Sequence, residues 1–268
     1  MQKFIVEGGI SLSGSITPSG NKNEALPVLA ATLLAHQPVT IHNVPDIIDI
    51  AIMRDLLVSL GVKIQQIDAH TFRFDSSHLQ STVPDSGQAK RIRGSFLLAG
   101  PLLARSKSID LPAPGGDRIG LRPVHTHLLA LEKLGAEISL SEDGLYQMRS
   151  KDLTGTDIYL DEASVMATEN AIMAAVTAKG KTSIYNAACE PHVQGLCHFL
   201  VMLGAAIEGV GSNLLIIEGV PKLAGGDYTI QPDHTEVGSF IGLAAVTGSE
   251  LRIKNAGVEY LRMTRLMF

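Results

Sequence analysis

The sequence is short of charge, and of positive charge in particular. Of its 268 residues 18% are charged, and 22 Lys and Arg stand against 27 Asp and Glu, for a formal net charge of -5. A generally basic nucleic-acid surface is excluded on that balance, so any anion must be held in a local cationic pocket. Cysteine is scarce as well. Cys189 and Cys197, with seven residues between them, provide neither a disulfide framework nor a zinc-ligand spacing, which fits a reducing cytosol. No apolar run reaches the roughly 20 residues of a membrane span, and the opening Met1-Gln2-Lys3 lacks the apolar core of a secretory signal. These absences lead us to expect a soluble, cytosolic protein without a membrane or nucleic-acid partner. The length leads us to expect two domains.

What is present is a repeat. Thr40-Ile41-His42-Asn43-Val44, Ser108-Ile109-Asp110-Leu111, Ser183-Ile184-Tyr185-Asn186-Ala187 and Arg252-Ile253-Lys254-Asn255-Ala256 resemble one another, and their isoleucines lie 68, 75 and 69 residues apart. A near-constant period sets the architecture and is read before any single element. Each copy follows an Ala- and Leu- or Ile-rich stretch without a wide charged face: Glu24 to Ala35, Gly94 to Ala104, Thr168 to Ala178 and Val237 to Val246. Such helices are expected to be buried nearly all round, at the centre of the fold. After each of the first three copies a second helix is expected to end at Leu60-Gly61, Leu134-Gly135 or Leu203-Gly204, because glycine takes up the left-handed stop conformation cheaply. Alternating segments follow, such as Val62-Lys63-Ile64 with Phe72-Arg73-Phe74, and period two marks strands with one wet face.

The expected unit is therefore strand, buried helix, strand, outer helix and strand pair, giving an α/β fold of repeated units with central helices and outer sheets. Residues 22–233 make three such units and a complete domain. Residues 1–21 and 234–268 are expected to be parts of a second, truncated domain, because the fourth copy reaches Phe268 before its glycine. Leu261, Met263, Leu266 and Met267 would then be exposed or awaiting partners.

From Ile to the Leu-Gly glycine, the three copies run 20, 26 and 20 residues. The excess in the second holds Pro114-Gly115-Gly116-Asp117-Arg118-Ile119-Gly120-Leu121-Arg122-Pro123. A glycine pair permits a tight loop, and one acid beside two guanidinium groups suits an anionic substrate that needs proton transfer. Taken alone, the ordinary reading of this loop is a solvated turn. The repeat frame adds to it. Lys22, Lys90, Val165 and His234 fall at equivalent places near the starts of the central helices, within Ser19-Gly20-Asn21-Lys22-Asn23, Arg91-Ile92-Arg93-Gly94-Ser95, Ala163-Ser164-Val165 and Pro232-Asp233-His234. Helix N-termini attract anions by roughly 0.3 to 1 kcal/mol, and a lysine or arginine reinforces this. Simple capping accounts for Ser164 and Asp233 but not for a lysine inside a first helical turn.

These residues, together with Asn186-Ala187-Ala188-Cys189-Glu190-Pro191 and Glu218-Gly219-Val220, occur in an order that resembles the enolpyruvyl transferases acting on UDP-N-acetylglucosamine. The resemblance runs from Met1 to about Ala256. It implies an inverse α/β barrel in two domains, with the substrates in a cleft, and transfer of the enolpyruvyl group of phosphoenolpyruvate to the sugar 3-hydroxyl with loss of phosphate. It implies no metal or organic cofactor, and two small-molecule partners, phosphoenolpyruvate and a UDP-sugar. It does not specify an oligomeric state.

Carried over by position, Lys22 and Asn23 would contact both substrates, and Arg93 and Arg122 would bind anionic groups. Ala163, Ser164 and Val165 would line the nucleotide site, with Pro123, Val124, Glu162, Glu190 and Asp233 as further substrate contacts. Asp117 stands where most members carry cysteine, and the resemblance implies that with Lys22 it would form the catalytic pair. A carboxylic acid can protonate the methylene carbon as a thiol does if its surroundings keep it partly protonated.

The sequence departs from the family at His125, usually Asp, at Glu162, often Lys, at Met166, commonly Gly, and at Cys189, commonly basic. Three of these line or neighbour the nucleotide site, so the donor chemistry is the better supported half. The loop and arginine motifs of the sister enzyme for shikimate 3-phosphate are not matched. A noncatalytic relative that binds a nucleotide sugar or a partner protein stands as the alternative. RNA 3-terminal phosphate cyclases share a related repeat, but they need a nucleotidyl-accepting histidine and a basic surface. His125-Thr126-His127 reads as polar surface.

Overall fold

The structure, a computed structural model, describes residues 3–116, Gly120 and 123–268. Strand β1 (Ser13–Ile16) comes first, and the first repeat follows: helix α1 (Lys22–Ala31), continued by a 3-10 turn at Thr32–Leu34, strand β2 (Val39–His42), helix α2 (Ile48–Ser59), and strands β3 (Lys63–Gln66) and β4 (Phe72–Asp75). The second repeat holds short α3 (Ser86–Ala89), a 3-10 turn (Arg93–Leu98) running into α4 (Ala99–Ser106), then β5 (Ser108–Pro112), α5 (His125–Lys133), β6 (Glu137–Leu140) and β7 (Leu145–Arg149). The third holds β8 (Asp157–Tyr159), α6 (Val165–Ala175), β9 (Lys181–Tyr185), α7 (Pro191–Met202), β10 (Ala206–Glu208) and β11 (Leu214–Glu218). β12 (Gly226–Thr229), α8 (His234–Thr247), β13 (Glu250–Ile253) and α9 (Arg262–Met267) complete the chain.

The sheets repeat the same order. β8, β9, β11 and β10 are neighbours in one sheet, β12, β2, β4 and β3 in a second, and β5, β7 and β6 in a third. In the two four-stranded sheets the outer strand is parallel to the isoleucine strand, β8 to β9 and β12 to β2, while the hairpins are antiparallel. β12, late in the chain, thus supplies the leading strand of the first repeat.

Asparagine recurs in the repeat for a conformational reason. Asn43, Asn186 and Asn255 leave their strands in the left-handed conformation, with φ of 56°, 57° and 51°, which asparagine accepts more readily than other side-chain-bearing residues. Asn43 Nδ2 donates to the Ile230 carbonyl and Asn186 Nδ2 to the Leu160 carbonyl, both at 2.9 Å, each just past the parallel partner strand. In the second copy β5 runs straight on through Leu111 to Pro112, towards the longer loop.

The outer helices stop where expected. Leu60, Leu134 and Leu203 are their C-caps, and Gly61, Gly135 and Gly204 follow with φ of 99°, 101° and 104°. At Gly61 a Cβ would also lie 2.8 Å from the Gln80 backbone nitrogen. Ala25 to Ala31 of α1, Leu98 to Leu103 near the start of α4, and Ala167 to Ala175 of α6 are buried without a break. They form the helical centre, while β3, β6 and β10 turn mostly to solvent.

The chain divides into two compact units, residues 22–230 and residues 1–21 with 231–268. In the smaller unit β1 pairs in parallel with β13. The fourth helix differs from the expectation of all-round burial, for Val237 is the only buried residue of α8. Met263, Leu266 and Met267 are exposed as expected, but Leu261 is buried. No helix among the described residues is long and apolar enough to cross a membrane.

Candidate active site

The larger unit carries a cleft of about 710 Å³ at the N-terminal ends of its central helices. Lys22, Asn23 and Leu26 of α1 form one wall, Arg91, Ile92, Arg93, Gly94 and Leu97 a second, and Val165 and Met166 of α6 with His192 of α7 a third. Asp49 of α2 and Gly116 complete the lining. The position of the cleft follows from the repeat: helices that begin at equivalent points bring their first turns, with free N–H groups, to one end of the bundle.

Lys22 is the first residue of α1, and its Nζ lies 2.9 Å from Asp49 Oδ2, both side chains being partly exposed. The lysine is held at the cleft wall by a partner that an incoming anion can replace. Arg93 opens the 3-10 turn, and its Nη2 donates to the Pro123 carbonyl at 3.1 Å. Arg91 Nη1 donates to Gln88 Oε1 at 2.8 Å. Three cations thus face one carboxylate among the described lining residues, an arrangement suited to a phosphate or carboxylate ligand.

Of the residues expected from sequence, the cleft gathers Lys22, Asn23, Arg93 and Val165. Pro123, Val124, Glu162, Ala163, Ser164 and Glu190 are not among its lining residues. Val124 is buried. Ser164 is the N-cap of α6, accepting from the Ala167 N–H at 3.4 Å, and Glu162 and Ala163 are exposed just ahead of it. Glu190 is exposed at the N-cap position of α7. Asp233 belongs to the other compact unit, where its carboxylate caps α8 through the Thr235 and Glu236 N–H groups. Asp117 and Arg122 lie outside the described residues.

Sequence reasoning missed Asp49, Arg91, Leu26, Leu97 and His192 as lining groups, whereas Met166, singled out there as a departure near the nucleotide site, does line the cleft. Arg91 stood in a segment already marked by the repeat frame. Asp49 carried no local signal beyond its place in the first turn of a helix.

The reading of His125-Thr126-His127 as polar surface needs correction. His125 is exposed and its Nε2 lies 2.7 Å from Asp161 Oδ2, while buried Thr126 donates to Asp161 Oδ1 at 2.9 Å. His127 is also buried, and burial, reinforced by the charges of Arg93 and His125, pushes its pKa down to about 3. A helix turns neighbouring side chains to different faces, so adjacent histidines need not share an environment. Below the cleft, Glu169 of α6 is fully buried, and burial followed by the Glu190 charge pushes its carboxyl well above the ordinary range.

A family profile for EPSP synthase (3-phosphoshikimate 1-carboxyvinyltransferase) matches residues 6–267. The chain belongs to that family. EPSP synthase family relatives among curated proteins include the UDP-N-acetylglucosamine 1-carboxyvinyltransferase of Bradyrhizobium diazoefficiens, 53% identical over 99% of this chain and 61% of that protein. The enzyme of the same name from Treponema denticola is 47% identical over 100% of this chain and 62% of its own length. The chain thus spans about three fifths of the length of these curated relatives. Among solved structures, the enolpyruvyl transferase NikO from Streptomyces tendae aligns with a TM-score of 0.80 at 27% identity, over 92% of this chain and 58% of that one. An EPSP synthase from Acinetobacter baumannii aligns at 0.74 with 21% identity, over 92% and 56%. The fold is the inverse α/β barrel of the EPSP synthase family.

Proposed function

We propose that this chain provides the phosphoenolpyruvate-binding part of an enzyme that moves the enolpyruvyl group onto the 3-hydroxyl of UDP-N-acetylglucosamine, releasing phosphate, in peptidoglycan precursor synthesis. The observation that carries this reading is Lys22, placed in the first turn of a buried helix at the wall of a cleft where Arg91 and Arg93 also stand and Asp49 is its ion-pair partner among the described residues. The name of the curated relatives, UDP-N-acetylglucosamine 1-carboxyvinyltransferase, supports the carboxyvinyl transfer and the sugar acceptor of this reading.

In the proposed reaction the phosphate of phosphoenolpyruvate replaces Asp49 as the partner of Lys22, and Arg93 takes an anionic group of a substrate. The sugar hydroxyl oxygen bonds to C2 of the enolpyruvyl group as a general base takes its proton, while Asp117 gives a proton to the methylene C3. Phosphate then departs from C2 and a C3 proton returns to base, restoring the double bond in the product enol ether. Lys22 stabilises negative charge on the phosphate through both steps. Asn23, Arg122, Pro123, Val124, Glu162, Ala163, Ser164, Val165, Glu190 and Asp233 are proposed to contact the substrates, with 163–165 on the nucleotide side. A cytosolic location goes with this reading, since phosphoenolpyruvate is a cytosolic metabolite.

The test measures phosphate release with phosphoenolpyruvate, with UDP-N-acetylglucosamine, and with both, in a protein extended to the length of the relatives. Release that requires both is expected. Binding of the nucleotide sugar without release would instead favour a noncatalytic sugar-binding protein. For Asp117, the expected pattern is that Asp117→Asn binds phosphoenolpyruvate without turnover and Asp117→Cys regains turnover. Full activity in Asp117→Asn would remove it from the reaction.

A further inference from the structure

Asn170 of α6 is completely buried one turn beyond Met166, which lines the cleft. Its side chain spans three elements. The Gly100 N–H at the start of α4 donates to Oδ1 at 2.8 Å, Nδ2 donates to the Phe96 carbonyl of the 3-10 turn at 2.9 Å, and Nδ2 also lies 2.9 Å from His127 Nδ1 on α5. A backbone N–H can only donate and a carbonyl can only accept, so the orientation of the amide is decided by its first two partners. His127 Nδ1 is therefore the acceptor, and the imidazole is neutral with its proton on Nε2. The ring stands edge-on to Phe96 at 5.0 Å between centroids. Gly100 makes this approach possible, because a Cβ there would lie 2.5 Å from the Asn170 backbone oxygen.

Arg93 closes the ring of contacts. It opens the same 3-10 turn that Asn170 grips at Phe96, and its guanidinium rests on the Pro123 carbonyl, two residues before the start of α5. These two contacts of Arg93 lead back to Asn170, one through its own turn and one through α5 and His127. Arg93 from the turn and His125 from its own helix face His127, so a proton on His127 would set a positive charge against the Arg93 guanidinium.

We propose that Asn170 and His127 are positioning residues for Arg93, their buried amide-imidazole pair holding the 3-10 turn and the start of α5 in the arrangement that keeps the guanidinium at the cleft wall. The inference rests on the cleft being the phosphoenolpyruvate site proposed above. His127 serves as an uncharged acceptor, and Asn170 as the donor that bridges it to the turn.

The test compares His127→Leu, which removes the acceptor, with His127→Gln, which keeps one, each with Arg93 intact and with Arg93→Leu. Calorimetry reads phosphoenolpyruvate affinity, and the Arg93 Nε–H resonance reads the guanidinium environment without ligand. His127→Leu is expected to weaken binding about tenfold, His127→Gln to recover most of it, and neither to matter once Arg93 is gone, the coupling of residues that act together. The Arg93 resonance should move in His127→Leu and return in His127→Gln. Equal loss with and without Arg93, or an unmoved resonance, would overturn the proposal. If Arg93→Leu itself leaves affinity unchanged, or the parent protein does not bind, the functional reading fails while the resonance still decides the positioning claim. Should His127→Leu not fold, Asn170→Ser carries the same comparison.

Discussion

Lys22 is held by an exchangeable partner, and that makes its contribution measurable. Asp49 and Lys22 are both partly exposed, so their pairing adds little to stability, whereas a phosphate bound between Lys22 and the helix N-terminus gains a charge-assisted bond. Lys22→Ala is expected to leave the melting temperature nearly unchanged and to weaken phosphoenolpyruvate binding roughly ten- to a hundredfold, the equivalent of about 1.5 to 3 kcal/mol. Unaltered affinity by calorimetry would return the lysine to the solvated surface. Glu169 makes the opposite case, a buried acid with no hydrogen-bond partner on Oε1 among the described residues. Its folded pKa lies above its unfolded one, so it is protonated in both states at low pH. As pH rises above about 4.3 the unfolded carboxyl ionises and the folded one does not, and stability is lost until the folded pKa is passed. Glu169→Gln removes that titration. Urea unfolding at pH 5 and pH 8 should find the variant gaining on the parent at the higher pH, and parallel midpoints would argue against the assignment.

Among the elements, the central helices approach closely because small residues stand where they meet. Gly100 of α4 lies against the Asn170 backbone of α6, and any side chain there must push the two helices apart. Gly100→Ala is expected to destabilise the protein by about 1 to 3 kcal/mol despite its better helix propensity, since overpacking outweighs the propensity gain of about 1 kcal/mol. A raised unfolding midpoint in denaturant would contradict this packing. The repeated asparagine and the Leu-Gly stops were legible in the sequence because each answers a local backbone demand. The burial of His127 was not, because it depends on which face of α5 meets the 3-10 turn and α6.

For the whole molecule, we propose that residues 22–233 form a domain that folds on its own, and that 1–21 with 234–268 belong to a second. The contrast in burial is the reason: α6 is buried from Ala167 to Ala175, whereas α8 buries only Val237. Amides that open only on global unfolding exchange slowest, so those of α1 and α6 should exchange at least about a hundredfold more slowly than those of α8. Equal protection across the four central helices would refute the division. A segment of residues 22–233 expressed alone should keep a cooperative melt.

Local and periodic features were determined by the sequence alone. The spacing of Ile41, Ile109, Ile184 and Ile253, the glycines after the outer helices and the lysine in a first helical turn each express a demand met within a few residues or within one repeat. The packing of the helices decided the rest. It set Asp49 against Lys22 across 27 residues, joined His127 to Asn170 across 43, and brought Arg91, Met166 and His192 to one cleft. These pairings arise where different helices meet, and no local period encodes which faces those will be.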